Sequence, residues 1–183
     1  MTGIADVVWE VMVDWDMTDW AATPDFTQPE DDISVDVQYV NPSRGKEREA
    51  GNSPAATCQL RIKPGLHAKY SPVNSIGPLH GRLLPWRAVR CRAYYDGNYY
   101  TKFTGFISSI SIDPSPDKQS VSIYCTDGMD LLARQFIVED WDAKVSMTEG
   151  ETMGAILDAA GWSAAKRSLS AGGDVTYPVP VAY

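Results

Sequence analysis

The chain has 183 residues, with 16 Lys and Arg against 24 Asp and Glu and a formal net charge of −8. That length suits one ordinary domain, or one with a small annex, and is enough to bury a core. Three widely spaced cysteines, Cys58, Cys91 and Cys125, without a CxxC pair or a neighbouring His, exclude a disulfide framework and a zinc site. No apolar run approaches membrane length, and no basic stretch followed by an apolar one opens the sequence, so the expectation is a soluble protein made in the cytosol, with no membrane segment.

VVWEVMVDWD alternates, with Val7, Trp9, Val11, Val13 and Trp15 on one face, and predicts a half-buried strand that ends by sending Asp14 and Asp16 to the wet side. From Val13 to Asp32 there are seven carboxylates, two tryptophans and no Lys or Arg. Ile33 to Val40 is a second strand, and Ser43 to Ala55 is a long polar loop. ATCQLRIK turns Cys58, Leu60 and Ile62 inward. The connector PGLHAKYSPVNSIGPLHGRLLPW has prolines at 64, 72, 78 and 85, which forbid a long regular element.

AVRCRAYY is a strand with Val89, Cys91 and Ala93 on its inner face, and Asp96-Gly97 suits a tight hairpin turn. FTGFISSISI follows, with a change of apolar phase between Ile107 and Ile110 that predicts a bulge. SVSIYCTD puts Val121, Ile123 and Cys125 inward. All three thiols therefore read as core. Thr126 or Asp127 then caps a helix over 126–137, and Thr148 with Glu151 forms a capping box for a second helix stopped by Gly161. The fold class is mainly β with short helices (α+β): a β-barrel or sandwich with one or two appended helices. The division is a barrel domain over 1–145, and over 146–183 a short helix with an extended tail that could start a further domain.

Chemistry is sparse. His67 and His80 lie in the connector, far from ligand spacing, and no nucleophile elbow, phosphate loop or HExxH is present. No catalytic residue and no cofactor are expected. The metal candidates are Asp14, Asp16, Asp19 and Asp25. Counted as a calcium loop from Asp14, position 3 is Asp16, position 5 is Thr18 and position 12 is Asp25, but position 6 is Asp19 where the sharp turn needs Gly.

The charges are blocked. Met1 to Ser43 carries only acidic charges, Arg44 to Lys102 has eleven basic residues against Glu47, Glu49 and Asp96, and the remainder is acidic again. Opposed blocks suit head-to-tail subunit contacts. Candidate contact residues are Trp20, Phe26, Arg44, Lys46, Arg48, Arg87, Arg90 and Arg92. Arginines and aromatics interleave in RLLPWRAVRCRAYY, which core and subunit contacts explain more economically than a nucleic-acid strand. An alternative reading is a calcium-assisted β-sandwich carbohydrate-binding module, with Trp15, Trp20 and Trp86 stacking on sugars.

Several pieces recur in the order of a known pattern: Tyr70-Ser71-Pro72, Pro78-Leu79, Gly81, Leu83-Leu84-Pro85, Arg87, Val89-Arg90, Arg92-Ala93, Phe103, Gly105, Ile107, Asp127 and Leu131-Leu132. From Val7 to Trp162 the chain resembles the N-terminal region of tail-tip proteins of long-tailed bacteriophages and prophages, closest to baseplate hub or minor tail proteins. It departs from that pattern at Ala88, where the family has Pro, and at DWDMTDW, where the family often has a DxDxDG-like run; relatives also tend to be longer. The resemblance implies a tail-tube-like β-barrel, assembled as a homo-oligomeric ring at the distal end of the virion's tail after synthesis in the bacterial cytoplasm. The implied partners are other tail proteins (tail tube, tape measure, tip or fibre proteins), with DNA only as cargo passing the lumen. One such domain per chain implies six copies; a hub with two per chain would have three.

Overall fold

The structure, a computed structural model, describes residues 7–43, 55–113, 115, 119–134, 148–164 and 167–169. Six strands, β1 (Val8–Asp14), β2 (Val37–Ser43), β3 (Thr57–Ile62), β4 (Ala88–Tyr95), β5 (Asn98–Asp113) and β6 (Ser120–Thr126), form one antiparallel sheet in the order β1-β4-β5-β6-β3-β2. Two short helices follow, α1 (Gly128–Ala133) and α2 (Glu149–Ala159). Contacts gather into two units, Met1–Trp20 with Pro24–Leu131, and Ala21–Thr23 with Leu132–Tyr183.

The sheet curls because β5 is 16 residues long and serves two sets of neighbours. Its first half pairs with β4, from Tyr95↔Asn98 to Ala88↔Phe106, and its second half with β6, from Phe106↔Thr126 to Asp113↔Ser120. The register shifts between Ile107 and Ser109, where the apolar phase of the sequence changes; an inserted residue bends the strand and sharpens its twist. Gly105 stands beside the point where β5 passes from its pairing with β4 to its pairing with β6. A Cβ there would meet the Thr126 carbonyl oxygen at 2.2 Å and the Phe103 ring at 2.7 Å.

The outer edges of the curl approach each other through the segment before β2. Met12 bridges Asp32, the Ile33 N–H donates to the Val11 carbonyl at 3.0 Å, and the Val11 N–H donates to Ser34 Oγ at 2.9 Å. The chain then turns, with the Asp36 and Val37 N–H groups both on the Ile33 carbonyl. This turn is why β2 begins at Val37 and not at Ile33, as expected from the apolar run.

Inside the curl, Val11, Val13, Leu60, Ile62, Val89, Phe103, Ile107, Val121 and Ile123 are all buried, and the three cysteines join them. The inward faces are those expected from alternation. The connector folds over this core through Tyr70, Leu79 and Leu83. Tyr70 is wholly buried, its ring 6.3 Å from that of Trp15, and its hydroxyl donates to Asp36 Oδ2 at 2.8 Å. Successive tight turns, with Gly65 and Gly81 at positive φ, replace regular structure throughout this stretch.

Helix α1 starts where expected: Asp127 is the cap, its Oδ1 accepting from the Met129 N–H at 3.0 Å and its Oδ2 from the Ala56 N–H at 2.8 Å. The helix ends at Ala133, within the expected 126–137 span, whose last residues lie outside the described ones. In the second unit, the Thr148–Glu151 capping box is formed and Gly161 takes φ +73° after the last turn of α2. The Arg167 guanidinium donates to the Gly154 carbonyl and pairs with Asp158.

Candidate assembly surfaces

The acidic segment is built around Asp14. Its carboxylate does not face water as alternation predicts: Oδ1 accepts from the N–H groups of Asp16 (3.1 Å) and Met17 (2.9 Å), and Oδ2 from that of Asp25 (2.8 Å), leaving the residue 6% exposed. A carboxylate that satisfies three backbone donors organises a loop, and here it also ends β1 two residues before the alternation does. Of the other metal candidates, Asp16 pairs with Arg82, Asp25 Oδ1 accepts from the Thr27 N–H, and Asp19 is exposed. Among the described residues no three His, Cys, Asp or Glu side chains are grouped as a metal site would need.

Asp31 is the second buried carboxylate, accepting from the Gln28 N–H at 3.0 Å. Burial pushes its carboxyl above the usual range, with the Gln28 and Trp15 backbone donors acting against that and the Asp14 and Glu30 charges adding to it. Arg82 binds the rim of the same loop, donating to Glu30 Oε1 at 2.6 Å and lying 3.1 Å from Asp16; its hydrogen bond holds the Glu30 carboxyl below the usual range.

Arg87, expected at a subunit contact, is instead buried at 6% exposure. Its guanidinium donates to the Arg82 and Met17 carbonyls and so ties the connector to the acidic segment. Within the chain its guanidinium is thus engaged by main-chain carbonyls and not presented on the surface. Arg92 pairs with Glu10, directly opposite it on β1, and lies 4.4 Å from the centre of the Tyr99 ring. Arg90 lies 4.6 Å from the Phe26 ring, so these two candidates meet each other within one chain; burial lowers the Arg90 pKa. Trp20 is half-buried, while Arg44, Lys46 and Arg48 lie outside the described residues.

The sugar-stacking set is not assembled. Trp15 is wholly buried and donates from Nε1 to the Glu30 carbonyl at 3.1 Å, which removes one of its three rings from any surface. His80 is exposed, and His67 is half-buried.

Two surface features escaped the reading of the sequence. Tyr94, Tyr95, Tyr99 and Tyr100, 38 to 54% exposed, surround the β4–β5 turn, where Asp96 (φ +48°) and Gly97 (φ +76°) adopt the expected tight-turn conformation. YYDGNYY signals this directly, because a two-residue turn places Tyr94 opposite Tyr99. The second is the connector's outer side, where Val73 is 88% and Ile76 92% exposed, with Leu84 and Trp86 also open to solvent.

No protein-family model matches the chain, and no curated protein matches it. Among the described residues no helix is long and apolar enough to cross a membrane.

Proposed function

We propose that this protein is a structural subunit of a ring at the distal end of a bacteriophage tail, a baseplate hub or distal or minor tail protein. It joins the tail tube to the tip and takes part in host attachment and genome delivery, without catalysis of its own. The observation that carries this reading is where the residues of the tail-tip-like pattern stand. Tyr70, Leu79 and Leu83 fasten the connector to the core, Arg87 ties the connector to the acidic segment, Gly105 permits the close approach of β5 and β6, and Asp127 joins α1 to the start of β3. A shared motif made of such residues specifies a fold, which is what a scaffold subunit transmits.

In this reading the curled sheet is a tail-tube-like barrel. The exposed carboxylates Asp16, Asp19, Asp25 and Asp32 contribute to a lumen rim that repels the passing DNA. Negative-stain images of the purified chain test the proposal: closed rings with a central channel are the expected result, and a monomer at all concentrations would refute it. A net basic lumen in such a ring would refute the role given to the acidic segment.

A further inference from the structure

The sheet ends at β2, and among the described residues no strand meets its outer edge. Which groups that edge presents follows from the register. The Lys63 N–H donates to the Asp36 carbonyl at 2.8 Å, so Lys63, and with it Arg61, Gln59 and Thr57, turns its main chain toward β2. Their partners Tyr39, Asn41 and Ser43 are thereby engaged with β3, whereas Val40 and Pro42 turn their main chain outward. The edge therefore presents the N–H and carbonyl of Val40 and the carbonyl of Pro42, which has no N–H. Val40 and Pro42 stand opposite the buried Leu60 and Cys58 and so share the core face, yet both are only half-buried. Val37 and Val40 pack against the core from this edge strand without being covered.

The sequence contains a segment whose chemistry matches that edge. VTYPVPVAY, residues 175–183, lies outside the described residues, and its alternation sets Val175, Tyr177, Val179, Val181 and Tyr183 against Thr176, Pro178, Pro180 and Ala182. In an extended chain the residues of one set share a face and point their N–H groups to one side. Both prolines fall in the other set, so such a strand pairs on one side only, as an edge strand does. We infer that residues 175–183 of one copy of this chain add to β2 of the next copy as a further antiparallel strand, with Val179 opposite Val40. This rests on the ring reading above and names the contact that builds the ring.

In that register Val179 exchanges both main-chain hydrogen bonds with Val40, and the Tyr177 N–H meets the Pro42 carbonyl. The Tyr177 and Val179 side chains then fall on the core face, beside the half-buried Val40 and Pro42. Pro178 and Pro180 leave no N–H on the outer side, which stops the sheet from growing further. Neither β2 nor residues 175–183 has a charged side chain, so two chains of net charge −8 meet here without like charges opposite each other. A contact between two different parts of the same chain is heterologous, the kind that propagates head to tail and closes a ring.

The test uses the full chain in two parts. Asn41→Cys and Pro178→Cys chains are oxidised with diamide singly and mixed; Asn41 is exposed, and the native thiols are 0–3% exposed. The two introduced thiols stand opposite each other in this register, so a covalent dimer is expected in the mixture and in neither chain alone. A chain carrying both substitutions should give covalent multimers; a monomer linked within itself would refute the exchange between copies. Separately, Val179→Pro removes the central donor and should weaken self-association at least tenfold by sedimentation, with circular dichroism unchanged. Pro180→Ala, altered on the outer side, should leave association as it is, and equal effects of the two would count against strand pairing. Rings that form normally from the Val179→Pro chain, with no mixed cross-link, would overturn this contact and leave the ring reading standing. A native chain that never associates would overturn both.

Discussion

The Tyr70 hydroxyl and the Asp36 carboxylate, 34 residues apart, meet in the interior at 2.8 Å, and Lys69 shares the same carboxylate oxygen. This buried contact fastens the connector to the turn that leads into β2. Tyr70→Phe keeps the ring and deletes the donor to a charged acceptor, which should cost about 1–3 kcal/mol. The midpoint of urea unfolding, with an unchanged slope, measures it. A midpoint within error of the native one would mean that Lys69 alone satisfies Asp36.

Gly105→Ala places a methyl against the backbone of β6, at a distance real Cβ atoms do not reach. Because Thr126 contributes a main-chain carbonyl there, relief requires strand separation, and a loss of about 1–3 kcal/mol or more is expected. Thermal unfolding should show a Tm lower by at least several degrees.

Arg87→Met preserves most of the apolar stem and removes the donors to the Met17 and Arg82 carbonyls. The Arg82 carbonyl keeps the Leu84 N–H, but the Met17 carbonyl loses the Arg87 donor, and the variant should be less stable by about 1–3 kcal/mol. The loss belongs to the single chain, so it should be the same under conditions where the protein is monomeric and where it associates. A loss seen only on association would return Arg87 to the subunit interface.

Asp31 gives stability a pH dependence of definite sign. Its native carboxyl titrates above the ordinary Asp value, so between the two values the native state holds a proton that the unfolded chain has released, and stability falls as pH rises through that window. Asp31→Asn removes this term while keeping an acceptor for the Gln28 N–H. The variant should therefore gain on the native chain as pH rises from about 3 to about 7. Chemical denaturation at several pH values measures the difference, and a constant gap would count against the raised pKa.

The thiols should be inert in the folded protein. A hydrogen bond with Cys58, and then burial, push the Cys91 thiol up, and burial does the same to Cys125; that hydrogen bond lowers the Cys58 thiol, which is kept from reagents by its burial at 2% exposure. A charged aromatic disulfide reagent at pH 8 should label none of the three cysteines until denaturant is added. Prompt labelling of the native chain would show that the curl opens readily.

Strand identity was legible in the sequence because alternation is a local property: the inward sets Cys58-Leu60-Ile62, Val89-Cys91-Ala93 and Val121-Ile123-Cys125 follow from a period of two. The Asp96-Gly97 turn, the break after Ile107, the Asp127 cap and the Thr148–Glu151 box are local too, set by dihedral preference and by side chains reaching at most three residues along the chain. Tertiary structure decided everything that depends on a distant partner. Asp14 is buried because the Asp25 N–H returns to it, Arg87 because the Met17 carbonyl does, and Trp15 because the Glu30 carbonyl and Tyr70 close over it. Sequence alone treats Asp14 and Arg87 as surface residues, and exposes Trp15 only in the carbohydrate-binding reading, since side-chain type predicts exposure only until a long-range hydrogen bond replaces water. Strand order was likewise decided in three dimensions, where one long, bent β5 brings the β1–β4 pair and the β6–β3–β2 set into a single curl.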